Sequence, residues 1–345
     1  MPPLHHTSNF TFIPTILSPH PKIPFQPSDK KEIQQAMSKY FEDPAWADIT
    51  PLPLEDGGPN ALAQIAYSAE YDELMQYLRA VMAANEYSPR VLALTEDLIE
   101  LNPAHYTVWL YRFQCLVALQ SDLQRELAWL NETALVHLKN YQIWHHRNLI
   151  VDRLGSSEGE ARFVERMFER DAKNYHVWSY RQWLVTRFDL WEQGELEFTE
   201  RMIESDVRNN SAWNHRWFIV NGREEQGVPG VSDPAIRARE IQFAQEAIGK
   251  APHNESPWNY MRGIARKSGM ALGHLREFVE QYASLAQPDK VRSSYALDFL
   301  VDILAEEKGG KEQAGEALDL LASKYDPIRK NYWEHKKDNL GLAAA

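Results

Sequence analysis

Three tyrosines, Tyr106, Tyr141 and Tyr175, each stand three positions ahead of a tryptophan, and a polar residue follows each: Thr107, Gln142 and His176. Lys139 and Lys173 lie two positions before the second and third of them. If each tyrosine opens a helix, these side chains occupy a first turn, where backbone N–H groups lack partners and the helix dipole is positive, so an anion is stabilised there. Copies stacked side by side bring the tyrosines, the lysines, Gln142 and His176 onto one rim, which reads as a ligand or partner edge. The same tyrosines have a second reading, as staples fixing each helix to its predecessor. Later copies carry Asn210-Ser211 and Glu255-Ser256 instead, which confines the rim to the first half of the array.

The elements that must hold this rim are visible as a repeat. Trp109-Leu-Tyr-Arg112, Trp144-His-His-Arg147, Trp178-Ser-Tyr-Arg181 and Trp213-Asn-His-Arg216 fall 35, 34 and 35 residues apart. An altered copy, Trp258-Asn-Tyr-Met-Arg262, follows after 45, with a Gly- and Pro-containing loop insertion between Gly222 and Pro234. A fixed period of this size marks one supersecondary unit that buries its apolar face only by stacking on its neighbours. Apolar spacing gives helices near 126–138, 141–154, 160–172, 175–188, 195–207, 211–221, 235–250 and 256–267, with further hairpins over 71–101 and 272–338. The expected fold is an all-α solenoid of helical hairpins, with second helices near 105–120, 140–154, 174–188, 209–222 and 254–267.

Aligned copies separate into columns. Four positions before each tryptophan stand His105, Asn140, Asn174, Asn209 and Asn254. Asparagine is a favoured N-cap, so this column starts each second helix. Tryptophan and arginine, three apart, share a helix face, where the guanidinium stacks on an indole or pairs with a carboxylate of the next hairpin. Tyr111, His146, Tyr180, His215 and Tyr260, between them, suit a half-buried position.

Composition narrows the function. The chain has 345 residues, 44% hydrophobic and 11% aromatic, and a net charge of −12, which argues against nucleic-acid binding. Cys115 is the lone cysteine, so neither a disulfide nor a cysteine zinc site is available. No apolar run nears the roughly 18 residues of a membrane span, and the proline-broken start lacks a signal-peptide core. Residues 1–40 read as a disordered tail, 41–345 as one repeat domain, and the address as cytoplasmic. Nucleotide-loop, nucleophile-elbow and zinc-protease motifs are absent. His145 and His146, adjacent on a helix, point too far apart to share an ion. Acidic stretches Glu192–Glu200 and Glu306–Glu316 read as solvated faces. Nothing here forms a self-sufficient active site.

Longer strings carry a resemblance. Lys139-Asn-Tyr-Gln-Ile-Trp-His-His-Arg147, Asp171-Ala-Lys-Asn-Tyr-His-Val-Trp178, Asp206-Val-Arg-Asn-Asn-Ser-Ala-Trp213-Asn and Pro252-His-Asn-Glu-Ser-Pro-Trp258 resemble protein prenyltransferase alpha-subunit repeats. They look most like the alpha subunit shared by protein farnesyltransferase and type I geranylgeranyltransferase. The likeness extends from Trp46-Ala-Asp-Ile, Gly58-Pro-Asn and Ile65-Ala-Tyr67 to Ile328-Arg-Lys-Asn-Tyr-Trp333. It implies a crescent-shaped, right-handed superhelix around a beta subunit that holds catalytic zinc, this chain binding no cofactor itself. The implied reaction moves farnesyl or geranylgeranyl from its diphosphate to the cysteine of a CaaX terminus, with magnesium on the diphosphate for farnesyl transfer. By resemblance Lys139 approaches the diphosphate, Tyr175 and His176 hydrogen-bond nearby, and Tyr141 completes that wall. Gln142 would take the peptide carboxylate, and Tyr106 would touch its last residues. The fifth copy's shifted arginine, His105 in the cap column and the Gly222–Pro234 loop depart from the pattern. The alternatives are a Rab geranylgeranyltransferase alpha subunit and a non-enzymatic peptide-binding scaffold of tetratricopeptide type.

Overall fold

A computed structural model describes residues 40–54, 62–63 and 65–342, so all but Tyr40 of the segment read as a tail, and the Gly58-Pro-Asn string, lie outside the described residues. Among the described residues the regular elements are helices and no strand occurs. The chain partitions into two compact units: residues 1–102 with 107–120, and residues 103–106 with 121–345.

In the first unit, α1 (Ala69–Ala83) and α2 (Pro89–Leu101) form a hairpin, joined by most of α3 (Tyr106–Ala118). Ser68 caps α1 through the Tyr71 N–H, and Pro89 opens α2 where a missing N–H costs nothing. Trp46 is buried edge-on against Tyr40 and Tyr77, with ring centroids 5.0 and 5.4 Å away. Arg90 lies over its indole and grips Asp48 through two nitrogens, at 2.7 and 2.9 Å. The Trp46-Ala-Asp-Ile string is thus a clasp on α2. Tyr111 bridges from α3 to the carbonyls of Val81 and Glu86.

The second unit repeats a hairpin: α4 (Leu123–Val136) with α5 (Tyr141–Leu154), α6 (Glu160–Arg170) with α7 (Tyr175–Phe188), α8 (Glu195–Ser205) with α9 (Asn210–Asn221), and α10 (Pro234–Lys250) with α11 (Glu255–Ser268). A short α12 (Arg276–Glu280) precedes α13 (Ser294–Glu306), α14 (Lys311–Leu320) and α15 (Lys330–Asn339). Second helices α5, α7, α9, α11 and then α13 stack in succession.

The asparagine column does two jobs. In α5, α7 and α9 its Oδ1 accepts from the backbone N–H groups of the second and third helical residues, and in α11 from Ser256. Its Nδ2 reaches back to the previous repeat: Asn140 to Pro103 O, Asn174 to Leu138 O, Asn209 to Ala172 O and Asn254 to Val207 O. Ser293, cap of α13, extends the ladder by donating to Pro252 O at 2.6 Å.

The W-x-x-R face is the inter-repeat joint, and its partners were hidden in the sequence. Arg147 makes a two-pronged contact with Glu160, Arg181 with Glu195, and Arg216 with Glu240, all buried. Each glutamate sits on the first helix of the following hairpin. It also receives the ring column of its own second helix: Tyr180 on Glu160, His215 on Glu195 and Tyr260 on Glu240. His146 meets Glu126 in the same way at 2.8 Å. The guanidinium carbons lie 3.5, 3.4 and 3.8 Å from the ring centres of Phe163, Phe198 and Phe243. The arginines therefore stack on phenylalanine, not indole, and the tryptophans pack on the next ring: Trp144 on Tyr180, Trp178 on His215, Trp213 on Tyr260.

Two readings need correction. The ring column is fully buried, not half-buried. The Glu192–Glu200 stretch is not simply a solvated face, because Glu195 is buried at the centre of a joint. The fifth copy's shifted arginine also has a cause. Its partners come from α13, where Arg262 pairs with Asp298 and Asp302 under a second cation, Lys336 of α15. Trp258 still packs against Phe299 of α13, and Arg262 stays within 5.0 Å of that ring.

Candidate functional site

Capping places the rim. Asn140 and Asn174 fix where α5 and α7 begin, so Tyr141-Gln142 and Tyr175-His176 become the first two residues of neighbouring second helices. Tyr106 opens α3 in the corresponding place. The three tyrosines are 69, 68 and 69% exposed in chain order. Side chains that exposed bury little against the preceding helix, which weighs against the stapling reading, although Tyr141 does touch a ring of the following helix. The next column, Thr107, Gln142, His176, Ser211 and Ser256, is half-buried throughout.

The structure brings four of the six candidate residues together. The Tyr141 ring meets His176 edge-on with centroids 4.3 Å apart, and Tyr175 flanks the same imidazole at 5.7 Å. Burial lowers the His176 pKa below its ordinary value, and a backbone hydrogen bond to Lys139 offsets only part of that fall. His176 is therefore held mainly as the neutral imidazole at pH 7, with a single N–H. The Lys139 side chain is 79% exposed and its ammonium lies 3.8 Å from Asp171, whereas Lys173 closes on Asp206 at 2.9 Å. The Gln142 backbone N–H is spent on the Asn140 cap, and its carboxamide makes no hydrogen bond among the described residues. The Tyr106 ring lies 6.2 Å from that of its neighbour His105.

Chemically this is one wall: an exposed cation, two phenol hydroxyls, a neutral imidazole and a free carboxamide on an open edge. Such a wall binds and stabilises an anion but carries no nucleophile paired with a base. Among the described residues no group of three His, Cys, Asp or Glu side chains is placed to hold a metal ion. Cys115 is buried, and burial pushes its thiol up to about 11, so it is no thiolate ligand. A groove between α6 and α8, lined by Glu165, Phe168, Arg201 and Met202, holds none of the rim residues.

The protein prenyltransferase alpha subunit repeat profile matches residues 88–119, 123–154, 157–188, 192–222 and 237–268, each match pairing a first helix with its tryptophan-bearing partner. The Candida albicans protein farnesyltransferase/geranylgeranyltransferase type-1 subunit alpha is 40% identical over 304 residues, 86% of this chain and 97% of that protein. The chain belongs to the protein prenyltransferase alpha-subunit family. The Dictyostelium discoideum protein of the same description is 35% identical over 87% of this chain and 94% of its own length. A Saccharomyces cerevisiae geranylgeranyl transferase type-2 subunit alpha is more distant, 25% identical over 77% and 90%. Among solved structures, a chain of the Candida albicans protein geranylgeranyltransferase-I complexed with GGPP superposes with a TM-score of 0.78 at 38% identity, covering 88% of this chain and all of that one.

The columns that sequence reasoning missed are Glu126, Glu160, Glu195 and Glu240, and the phenylalanines Phe163, Phe198 and Phe243. Each glutamate precedes its tryptophan (Trp144, Trp178, Trp213, Trp258) by 18 residues and each phenylalanine precedes its own (Trp178, Trp213, Trp258) by 15. Extending the alignment back into the first helices was the signal that could have found them.

Proposed function

We propose that this chain is the alpha subunit of a heterodimeric protein prenyltransferase of the farnesyltransferase/geranylgeranyltransferase type-1 kind, acting in the cytoplasm. The observation that carries this reading is the 40% identity over 97% of a relative bearing that description. The exposed Lys139–His176 wall, complete in itself only as an anion site, adds to it.

In the reaction, the acceptor cysteine sulfur bonds to C1 of the isoprenoid as the bond from C1 to the diphosphate oxygen breaks. Negative charge gathers on the departing diphosphate. The Lys139 ammonium meets that charge, the Tyr175 hydroxyl donates to it, His176 hydrogen-bonds to it once its single N–H turns from the Lys139 backbone, and Tyr141 closes the wall beside His176. Donors aimed where charge develops stabilise the transition state more than the ground state. The free carboxamide of Gln142 takes the terminal carboxylate of the CaaX peptide, and Tyr106 touches its last residues. Among the described residues no donor set fits a catalytic zinc, and in this reading the zinc belongs to the beta subunit. When bound there, zinc supplies the acceptor as thiolate, and magnesium shields the diphosphate during farnesyl transfer.

Co-expression with a type-1 beta subunit tests this. The purified pair should transfer a labelled isoprenoid to a CaaX-ending peptide, and the chain alone should transfer none. Transfer by the chain alone, or none by the pair, would reject the reading.

A further inference from the structure

We propose that Asp171 is a positioning residue for Lys139, holding the ammonium of one repeat against the helix start of the next. The proposal rests on the prenyltransferase reading above. Lys139 ends the turn between α4 and α5, and its four-carbon stem, alone on an exposed edge, samples many directions. One contact from the following hairpin restrains it: the Asp171 carboxylate stands 3.8 Å from its ammonium.

Asp171 is built for this double role. It ends α6 in an extended conformation, and its Oδ1 accepts from the Lys173 N–H at 3.1 Å while its carbonyl accepts from the Asn174 N–H. One carboxylate oxygen therefore shapes the turn that delivers Asn174, Tyr175 and His176, and the other, Oδ2, faces Lys139. The looseness of the pair matters. At 2.9 Å, as between Lys173 and Asp206, a carboxylate occupies the ammonium. At 3.8 Å it restrains direction yet yields the cation to a more highly charged diphosphate. Lys139 is thereby aimed along the Tyr141–His176 wall before substrate arrives, and less orientational freedom is lost in the transition state.

The test uses the full heterodimer, farnesyl diphosphate and a CaaX-ending peptide in single-turnover rapid-quench experiments. Transfer by the wild-type pair is the control on the underlying reading, and its absence would sink that reading, not this one. Asp171→Asn keeps an oxygen for the Lys173 N–H and removes the charge. It should slow the chemical step about three- to fivefold, the scale of an exposed ion pair. KM for the diphosphate should stay unchanged or fall, since a nearby negative charge is lost. Asp206→Asn, the same change one repeat on, should leave the rate unchanged. In a Lys139→Ala background the Asp171→Asn change should have no further effect. A wild-type rate in Asp171→Asn, or an equal slowing with and without Lys139, would overturn the proposal.

Discussion

At the scale of single residues, the rim was legible because its chemistry is periodic. Tyrosines recurring three ahead of a tryptophan, with lysines before the caps, stand out in an alignment of the chain with itself. What each side chain does was not legible that way, since periodicity cannot tell an exposed tyrosine from a stapling one. Exposure near 70% weighs against stapling, and the roles of Lys139, Tyr141, Tyr175, His176, Gln142 and Tyr106 rest on the family resemblance. Asp171 escaped notice because a helix-terminal aspartate reads as an ordinary C-cap. Lys139→Ala should lower the single-turnover rate by on the order of tenfold to a hundredfold, with a smaller effect on peptide KM. A fall in peptide affinity with unchanged single-turnover rate would move Lys139 out of the chemistry.

At the scale of elements, helix positions were nearly all visible. Asn140 and Asn174 start α5 and α7, and Gly155, at φ 64°, ends α5 in the left-handed conformation that glycine adopts freely. The helix placed over 195–207 stops at Ser205, because Asp206 turns extended and its carboxylate takes the Arg208 N–H. Glu126, Glu160 and Glu195 were not visible, since an acidic residue in a helix's first turn looks like a solvated partner of the dipole, and Glu240, deeper in α10, reads as a surface charge. Their burial has a pH signature. Burial raises the Glu195 carboxyl, but the hydrogen bonds from His215 and Arg181 more than reverse it, leaving it below its ordinary 4.5. Glu240 is likewise lowered, by Arg216 and Tyr260 against burial. Burial lowers His215 below its ordinary 6.5 despite Glu195. The unfolded chain therefore binds more protons on both kinds of group. Stability should begin to fall as pH drops below 6.5, when unfolded histidine protonates, and fall further below 4.5 as the carboxylate contribution is lost. His215→Tyr copies the neighbouring repeats, where Tyr180 and Tyr260 make the same bond to glutamate. It should flatten the decline between pH 7 and 5 in thermal unfolding, and an unchanged slope would show that His215 does not carry it.

At the scale of the whole molecule, the repeat explains both what the chain has and what it lacks. Buried Arg–Glu pairs are weak sources of net stability, yet removing one partner costs about 3–5 kcal/mol. They act as register marks that keep each hairpin aligned with the next, and so keep the first turns of α5 and α7 beside one another. The product is an edge with donors and a cation, open on its other side. The 34- to 35-residue W-x-x-R period announced the helical-hairpin repeat from sequence.

The most direct test of the central claim is to purify this chain from its native cells under mild conditions and identify its stoichiometric companions by mass spectrometry. Two distinct prenyltransferase beta chains, one of the farnesyl and one of the type-1 geranylgeranyl kind, are the expected result. A single type-2 beta chain, or no stoichiometric companion at all, would contradict it.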